Sequence, residues 1–220
     1  MLVHGLGVSS RYMIPTIRAL APDCRVYAPD LPGYGRSPGP RDALTISELA
    51  ETLDGWLQST ELAAPDLLLG NSMGCQILVE LAVRFPARVR RLVLVGPTMD
   101  PSARSAPRQF GRLLLDSVRE APSQPFLVAW DYAVFGFRRF RQTFYDAIAD
   151  RVEEKLPRVH APTLVVRGER DPIAPQSWVE DFTRRLPRGR MAVVPGAAHT
   201  VNYMAPEALA DLVREFLGST

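Results

Sequence analysis

The chain has 220 residues, enough for one domain with a large hydrophobic core. Hydrophobic residues make up 46% of it and charged residues 23%, which is typical of a globular enzyme. The net charge of +2 gives no sign of a nucleic-acid or anionic-membrane partner. No apolar run approaches the ~20 residues of a membrane span, no signal peptide is recognisable, and the two cysteines suggest no disulfide framework. We therefore expect a cytoplasmic protein that binds neither nucleic acid nor membranes.

Strands and helices alternate through the first half of the chain. Leu2-Val3 is predicted to end a strand that leads into the loop His4-Gly5-Leu6-Gly7, and residues 25–29 are predicted to form a second strand. A capping box at Thr45-Ile46-Ser47-Glu48 opens a helix. The segments 67–69 and 91–96 are almost entirely apolar, which indicates a parallel sheet with helices on both faces.

The pentapeptide Gly70-Asn71-Ser72-Met73-Gly74 stands between an apolar strand and an amphipathic helix. This arrangement is typical of a nucleophile elbow, in which a serine lies on a sharp strand-to-helix turn. Glycines are expected at its first and last positions, because a Cβ at either place would clash with neighbouring backbone. The serine hydroxyl then projects from the end of the sheet, and the amide of Met73 points to the space where an oxyanion would form.

Residues 98–156 interrupt the alternation with helices predicted around 108–120, 125–135 and 140–155. Aromatic residues are dense in this segment and can pack one helix on another. They can also form the apolar underside of a lid over a substrate pocket, which is the interpretation we favour. Trp130 and Phe135 of this segment, with Asn71 beside the serine, are the predicted pocket residues.

The alternation resumes with strands at 162–168 and 190–194, each followed by a loop that carries a titratable residue. Asp171 follows the first of these strands and His199 the second. Ligands and catalytic groups in open α/β sheets collect at the carboxyl ends of strands, where Ser72 is also expected. A serine needs a neighbouring base, and a histidine base needs a carboxylate that orients it. Ser72, Asp171 and His199 are therefore the predicted catalytic residues.

Five motifs in this order make the chain resemble the α/β-hydrolase family over essentially its whole length. They are His4-Gly5-Leu6-Gly7, residues 30–37, Gly70-Asn71-Ser72-Met73-Gly74, residues 168–171 and residues 196–199.

The resemblance implies an α/β-hydrolase fold with a mostly parallel sheet of about six strands. Its core would comprise residues 1–97 and 157–220, and residues 98–156 would form an inserted helical lid. The amides of Leu6 and Met73 would form the oxyanion hole. The structural supports of the site would be His4, Gly5, Gly70 and Gly74. No metal or cofactor is implied.

A serine nucleophile predicts attack on a carbonyl group of a small, largely apolar molecule, an acyl-enzyme, and then hydrolysis. Esters, lactones and thioesters are the expected substrates. The elbow also resembles that of carbon–carbon bond hydrolases of vinylogous diketones, although those enzymes usually carry tryptophan where this chain has Thr200. A cofactor-free haloperoxidase-like enzyme and a non-catalytic binding protein remain as alternatives.

The family fold normally begins with two strands before the strand that leads to His4, yet only Met1 to Val3 precede His4 here. We expect residues 25–29 to become an exposed edge of the sheet as a result. A start codon placed too late is the favoured explanation; a truncated form and an edge covered by a partner are the alternatives. Upstream codons that encode two further strands would support the favoured one.

Overall fold

The computed structural model describes residues 1–60, 62, 64–121 and 124–219. In these ranges five strands form one parallel sheet in the order β1-β2-β3-β4-β5. The strands are β1 (Leu2–Val3), β2 (Leu68–Asn71), β3 (Leu92–Val95), β4 (Thr163–Gly168) and β5 (Gly189–Val194). The helices are α1 (Ile14–Leu20), α2 (Ile46–Ser59), α3 (Met73–Arg84), α4 (Ala106–Ser117), α5 (Gln124–Phe135), α6 (Phe137–Ala149), α7 (Val152–Lys155), α8 (Gln176–Arg185), α9 (Val201–Met204) and α10 (Pro206–Gly218). The predicted parallel α/β architecture is confirmed.

Strands β1 to β4 are buried on both faces, as their continuous apolar sequences predict, while the edge strand β5 is partly exposed. Successive side chains of a strand point to opposite faces. Leu68 and Leu92 therefore belong to one core cluster, which includes side chains of α2, α3 and α8. Leu69 and Val93 belong to the other, which includes side chains of α1 and α10. Each strand thus needs a helical layer on each side.

Residues 25–29 do not form the predicted strand. The segment runs beside β1 and accepts a backbone hydrogen bond from Leu2 to the carbonyl of Tyr27 at 2.7 Å. Since β1 has only two residues, it offers too few donors and acceptors for a continued ladder. The described sheet accordingly has five strands where about six were expected.

The segment 98–156 is helical, with its third predicted helix divided in two. Helix α6 ends at Ala149, and α7 begins at Val152. The backbone of Asp150 (φ −64°, ψ 122°) leaves the helical region between them, which is why one continuous helix does not form. The capping box of α2 is present as predicted, with Thr45 and Glu48 each accepting from the other's backbone N–H.

The five parallel strands place their carboxyl ends at one edge of the sheet. Ser72 follows β2, Asp171 follows β4 by three residues, and His199 follows β5 by five. The helical segment 98–156 is inserted after β3 and leaves the sheet at the same edge. Within the described ranges, no helix is both long enough and apolar enough to cross a membrane.

Candidate active site

Ser72 occupies a strained turn between β2 and α3. Its backbone angles (φ 57°, ψ −122°) are rare for a residue with a side chain and cost on the order of 1–3 kcal/mol. Ser72 donates its backbone N–H to the carbonyl of Val95 at 2.9 Å, and its own carbonyl accepts from Cys75 at 2.9 Å. The turn is therefore held by β3 on one side and by the first turn of α3 on the other.

Glycines surround this turn where backbone segments nearly touch. A Cβ on Gly74 would lie 2.5 Å from the carbonyl oxygen of Val3, and one on Gly70 would lie 2.7 Å from that of Gly74. A Cβ on Gly5 would lie 3.1 Å from the Cβ of Ser72. A side chain at Gly70 or Gly74 would thus clash with backbone, which is why glycine was expected at the elbow. The short distance at Gly5 shows that the loop after β1 packs against the serine.

Asp171 and His199 are hydrogen-bonded to each other in the buried space above β4 and β5. The ring Nδ1 of His199 lies 2.9 Å from Oδ2 of Asp171. The other oxygen of Asp171 accepts the backbone N–H groups of Ile173 (2.7 Å) and Ala174 (2.9 Å). Burial favours a higher pKa for Asp171, but His199 and these hydrogen bonds hold that pKa below its usual value. The carboxylate is thus ionised and oriented toward the imidazole.

The second ring nitrogen of His199, Nε2, is buried. Among the described residues, this nitrogen has no hydrogen-bond partner. Burial lowers the pKa of His199, but the carboxylates of Asp171, Asp116 and Glu120 outweigh burial and raise this pKa to about 9. A histidine in this environment can accept a proton at Nε2 and hold it as a stabilised imidazolium.

Gly96 lies close to the His199 ring and is not part of any of the five sequence motifs. Its φ is +56°, and a Cβ there would lie 2.9 Å from both Cε1 and Nδ1 of the imidazole. The same Cβ would lie 3.2 Å from Oδ2 of Asp171. The signal that could have pointed to it is a glycine directly after an apolar strand.

The two residues predicted to form an oxyanion hole lie in the loop after β1 and at the start of α3. Leu6 and Met73 line the same cavity as Ser72. Met73 is the first residue of α3, where backbone N–H groups have no acceptor within the helix. His4 donates from Nδ1 to the carbonyl of Gly5 (3.0 Å) and accepts at Nε2 from the backbone of Leu31 (3.1 Å). Burial lowers the pKa of His4, so this neutral ring ties two loops together.

A cavity of about 370 Å³ lies between these groups and the helical segment 98–156. Ser72 and His199 line it together with Asn71, whose side chain is held by Tyr12 (3.1 Å) and by the carbonyl of Val95 (3.3 Å). The wall is mainly apolar; it includes Leu6, Val8, Met99, Leu113, Val128, Tyr132, Phe140, Phe144 and Ile173. No group of three or more His, Cys, Asp and Glu side chains in the described part of the chain could hold a metal ion.

Two predicted pocket residues lie outside this cavity. Helix α5 presents Val128 and Tyr132 to it, and Trp130, about 200° around the helix from Val128, is 62% exposed on the opposite side. Phe135 lies one turn beyond Tyr132, where it is buried and stacks on Tyr34 with 4.2 Å between the ring centroids. The prediction was wrong for both residues, because aromatic density does not reveal which face of a helix meets the cavity.

Two acidic residues that no sequence motif marks are Asp116, in the last turn of α4, and Glu120, three residues after the helix. Asp116 and Glu120 line the cavity beside His199. Burial and their mutual repulsion raise the pKa of Glu120 to about 7, and burial raises that of Asp116. In the described lining, His199 is the only side chain that can carry a positive charge. The sequence predicts both acids on one helix, where acidic residues four apart usually mark a solvated face, so it carries no signal for this placement.

Comparison with known proteins identifies a family and similar relatives. A model described as the alpha/beta hydrolase family matches residues 1–212. The chain is 30% identical over 242 residues to a pimeloyl-[acyl-carrier protein] methyl ester esterase of Neisseria meningitidis serogroup B / serotype 15 (strain H44/76), covering 98% of this chain and 91% of the relative. It is 29% identical over 247 residues to a 2-hydroxymuconate semialdehyde hydrolase of Pseudomonas sp. (strain CF600), covering 99% and 86%.

The fold is also found among solved structures. A hydrolase from Pseudomonas aeruginosa PA01 matches with a TM-score of 0.81 and 24% identity, covering 99% of this chain and 89% of that one. The names of the sequence relatives, an esterase and a hydrolase, support hydrolase activity for this chain. With the family match over residues 1–212 and the confirmed parallel α/β sheet, the chain belongs to the alpha/beta hydrolase family.

Proposed function

We propose that this protein is a serine hydrolase that cleaves a small, largely apolar carboxylic ester, lactone or thioester through an acyl-enzyme. One observation carries the proposal. Strained Ser72 shares an apolar cavity with His199, whose Nδ1 is bound to Asp171 and whose Nε2 has no hydrogen-bond partner among the described residues. A weak hydroxyl nucleophile needs a base of this kind within reach.

In the proposed acylation, Oγ of Ser72 attacks the substrate carbonyl carbon and its proton passes to Nε2 of His199. The carbonyl oxygen becomes an oxyanion that accepts hydrogen bonds from the amides of Leu6 and Met73. Collapse of this intermediate breaks the bond to the leaving group, which takes the proton from His199. Water then repeats the sequence on the acyl-enzyme, releases the acid and restores Ser72.

Asp171 has an orienting role in this proposal. By accepting from Nδ1 of His199 it selects the tautomer whose Nε2 is free to take a proton. Its lowered pKa keeps it ionised at neutral pH, so it also stabilises the imidazolium that forms during each half-reaction. The raised pKa of His199 is consistent with that stabilisation.

The helical segment 98–156 is proposed as a lid that covers this site, and the remaining residues as the hydrolase core. The proposal is supported by the cavity wall, in which Leu113 of α4, Tyr132 of α5 and Phe144 of α6 face the core residues. Apolar walls of this kind exclude water from the reacting groups and favour apolar acyl or alkoxy portions of a substrate. The cytoplasmic location predicted from the sequence stays a prediction.

A carbon–carbon bond hydrolase is the second candidate, because the chain is 29% identical to a 2-hydroxymuconate semialdehyde hydrolase. A muconate is an anion, however, and the cavity lining presents two carboxylates, with no arginine or lysine among its described residues. Since an anionic substrate would meet repulsion there, we favour a neutral ester. Neither the haloperoxidase-like activity nor the non-catalytic alternative is favoured by an observation of this kind.

A fluorophosphonate probe tests the proposed function, because it phosphonylates an activated serine. We expect wild-type protein to gain the mass of one adduct on Ser72 and Ser72→Ala to gain none. Ser59→Ala removes an exposed serine at the end of α2 and should label like the wild type. Absence of labelling in folded wild-type protein would contradict the proposal.

A substrate panel then separates the alternatives. Esters, lactones, thioesters and vinylogous diketones are incubated with wild-type protein and with Ser72→Ala, and the products are identified by mass. The proposal predicts Ser72-dependent turnover in the first three classes. Turnover of the diketone alone would favour the second candidate, and turnover of no substrate would favour a binding protein.

A further inference from the structure

Helix α4 reaches both loops that carry the Asp171–His199 pair. Asp116, in the last turn of α4, accepts the backbone N–H of His199 at Oδ1 (3.3 Å). Arg119, two residues after the helix, donates to the backbone carbonyl of Arg170 at 2.9 Å. The last turn of α4 is therefore bonded to His199 itself, and the chain just after α4 is bonded to the residue that precedes Asp171.

Glu120 adds a second connection, to the residue that follows His199. Its Oε1 accepts the backbone N–H of Thr200 at 2.9 Å, and its Oε2 accepts the hydroxyl of Thr200. The same hydroxyl lies 3.1 Å from Oε1 of Gln124, the first residue of α5. Two consecutive backbone N–H groups at the histidine are thus bound by side chains of the helical segment 98–156.

The hydrolase core also binds this loop, through other atoms. The backbone N–H of Arg170 donates to the carbonyl of Ala197 at 2.9 Å, and Asp171 binds the imidazole ring. The core thus positions the loop before His199 and the ring, while Asp116 and Glu120 position the backbone at His199 and Thr200. The core and the helical segment 98–156 therefore bind different atoms of this loop.

Satisfying two backbone N–H groups does not by itself require carboxylates. A carbonyl, a hydroxyl or water would serve, whereas a buried carboxylate is penalised by desolvation. Asp116 is 6% exposed, and both acids show the raised pKa that desolvation causes. The placement of two such groups against the candidate base indicates a role beyond loop stability.

We propose that Asp116 and Glu120 are positioning residues, which hold His199 through its own backbone N–H and through Thr200. The helical segment 98–156 thereby completes the placement of the base when it is seated on the core. This inference rests on the proposed function, since it assigns His199 the task of accepting the Ser72 proton.

The test compares four variants with the wild type. Glu120→Ala removes both bonds to Thr200, Thr200→Val removes the hydroxyl alone, and Glu120→Gln keeps an acceptor for the Thr200 N–H. Arg108→Ala is the matched control: it changes an exposed residue of α4 that, among the described residues, donates within the segment to the carbonyl of Ser102. Kinetics with p-nitrophenyl butyrate, the rate of fluorophosphonate labelling of Ser72, and thermal unfolding are measured for each.

We compare kcat on the alkaline plateau of each variant's pH profile, so that a change in the pKa of His199 does not enter the comparison. There we expect Glu120→Ala to lower kcat about 10-fold to 100-fold with KM within about 3-fold, because a base displaced by ~1 Å transfers protons poorly while substrate contacts remain. The labelling rate should fall in parallel. Glu120→Gln should recover most of the loss, and Arg108→Ala should match the wild type. A purely structural role would lower the unfolding temperature without this split between kcat and KM.

Wild-type kcat and labelling in folded Glu120→Ala would overturn the inference. Should Glu120→Ala fail to fold, Thr200→Val decides it: a several-fold loss of kcat supports it and an unchanged kcat overturns it. An equal loss in Arg108→Ala would also overturn it, because the effect would then belong to the whole segment. Absence of labelling in the wild type would instead contradict the proposed function, and this inference with it.

Discussion

A Cβ added to Gly96 would lie 2.9 Å from both Cε1 and Nδ1 of His199, so the imidazole fills the space that a side chain would need. We expect Gly96→Ala to push the ring off Asp171 and to lower kcat at least about 10-fold. The positive φ at this position would also strain the alanine backbone by about 1–2 kcal/mol and lower stability. Kinetics with a p-nitrophenyl ester and urea unfolding measure the two effects.

Gly136→Ala is the control for backbone strain. Gly136 has φ +84°, but a Cβ there meets no atom of the described structure within 4 Å. Gly136→Ala should lose stability through backbone strain alone, and only Gly96→Ala should lose activity. Equal kcat values in both would contradict the ring-displacement argument.

The pH dependence should follow the titration of His199. Its pKa is raised from 6.5 to about 9, because three carboxylates outweigh its burial. Only the neutral ring can accept the Ser72 proton, so kcat/KM should rise about tenfold per pH unit between pH 7 and 9 and then level. A profile that is flat over this range, after subtraction of the uncatalysed rate, would contradict this expectation.

The raised pKa of His199 stabilises the folded protein at low pH, where it lowers activity. A folded-state pKa above the unfolded value means that the folded state binds the proton more tightly. The contribution of His199 is thus fully present below about pH 6.5 and is lost as pH rises through about 9. Urea unfolding of wild-type protein and His199→Gln between pH 6 and 10 should show their stability difference shrinking with increasing pH.

Replacing Asp171 by asparagine should retain the fold while removing the charge that orients the histidine. We expect kcat to fall by about 10³–10⁴, the range typical of a lost orienting carboxylate. The pKa of His199 should fall as well, because Asp171 is the largest of the influences that raise it. Since the chain has three histidines, their ring protons can be titrated by NMR. Asp181→Asn, at a surface ion pair of α8, should change neither quantity.

The two acidic residues in the cavity wall, Asp116 and Glu120, should discriminate between substrates by charge. We expect p-nitrophenyl hemiglutarate to have a kcat/KM at least about 10-fold below that of p-nitrophenyl pentanoate, because its carboxylate approaches Asp116 and Glu120. Glu120→Gln should reduce the ratio between the kcat/KM values of the two esters. Equal kcat/KM values for the two esters would show that the acyl group does not approach these acids.

The contact between Ser9 and Asp131 should contribute to stability. The buried carboxylate accepts the backbone N–H of Ser9 at 2.8 Å and its hydroxyl at 2.7 Å, which joins the loop after β1 to α5. Ser9→Ala removes the hydroxyl bond to a charged acceptor and should lower the free energy of unfolding by about 1.5–3 kcal/mol. Urea unfolding measures this, with Ser59→Ala as the exposed control.

Local patterns in the sequence were sufficient to predict the family and the parallel α/β sheet. The elbow around Ser72 is recognisable because its glycines and flanking apolar strand are adjacent in the chain. Asp171 and His199 could be selected because each follows a predicted strand, and parallel strands end at one edge. Such predictions depend on contacts within a few residues or on topology, and both are written into the order of residue types.

The surroundings of His199 depended on tertiary structure. Asp116 and Glu120 bind the histidine loop from 83 and 80 residues away along the chain, and Gly96 approaches the ring from the residue directly after β3. The rotation of α5 likewise directs Tyr132 into the cavity and Trp130 to solvent. Sequence spacing specifies which residues share a helix face, but packing against the core decides which face is turned toward the serine.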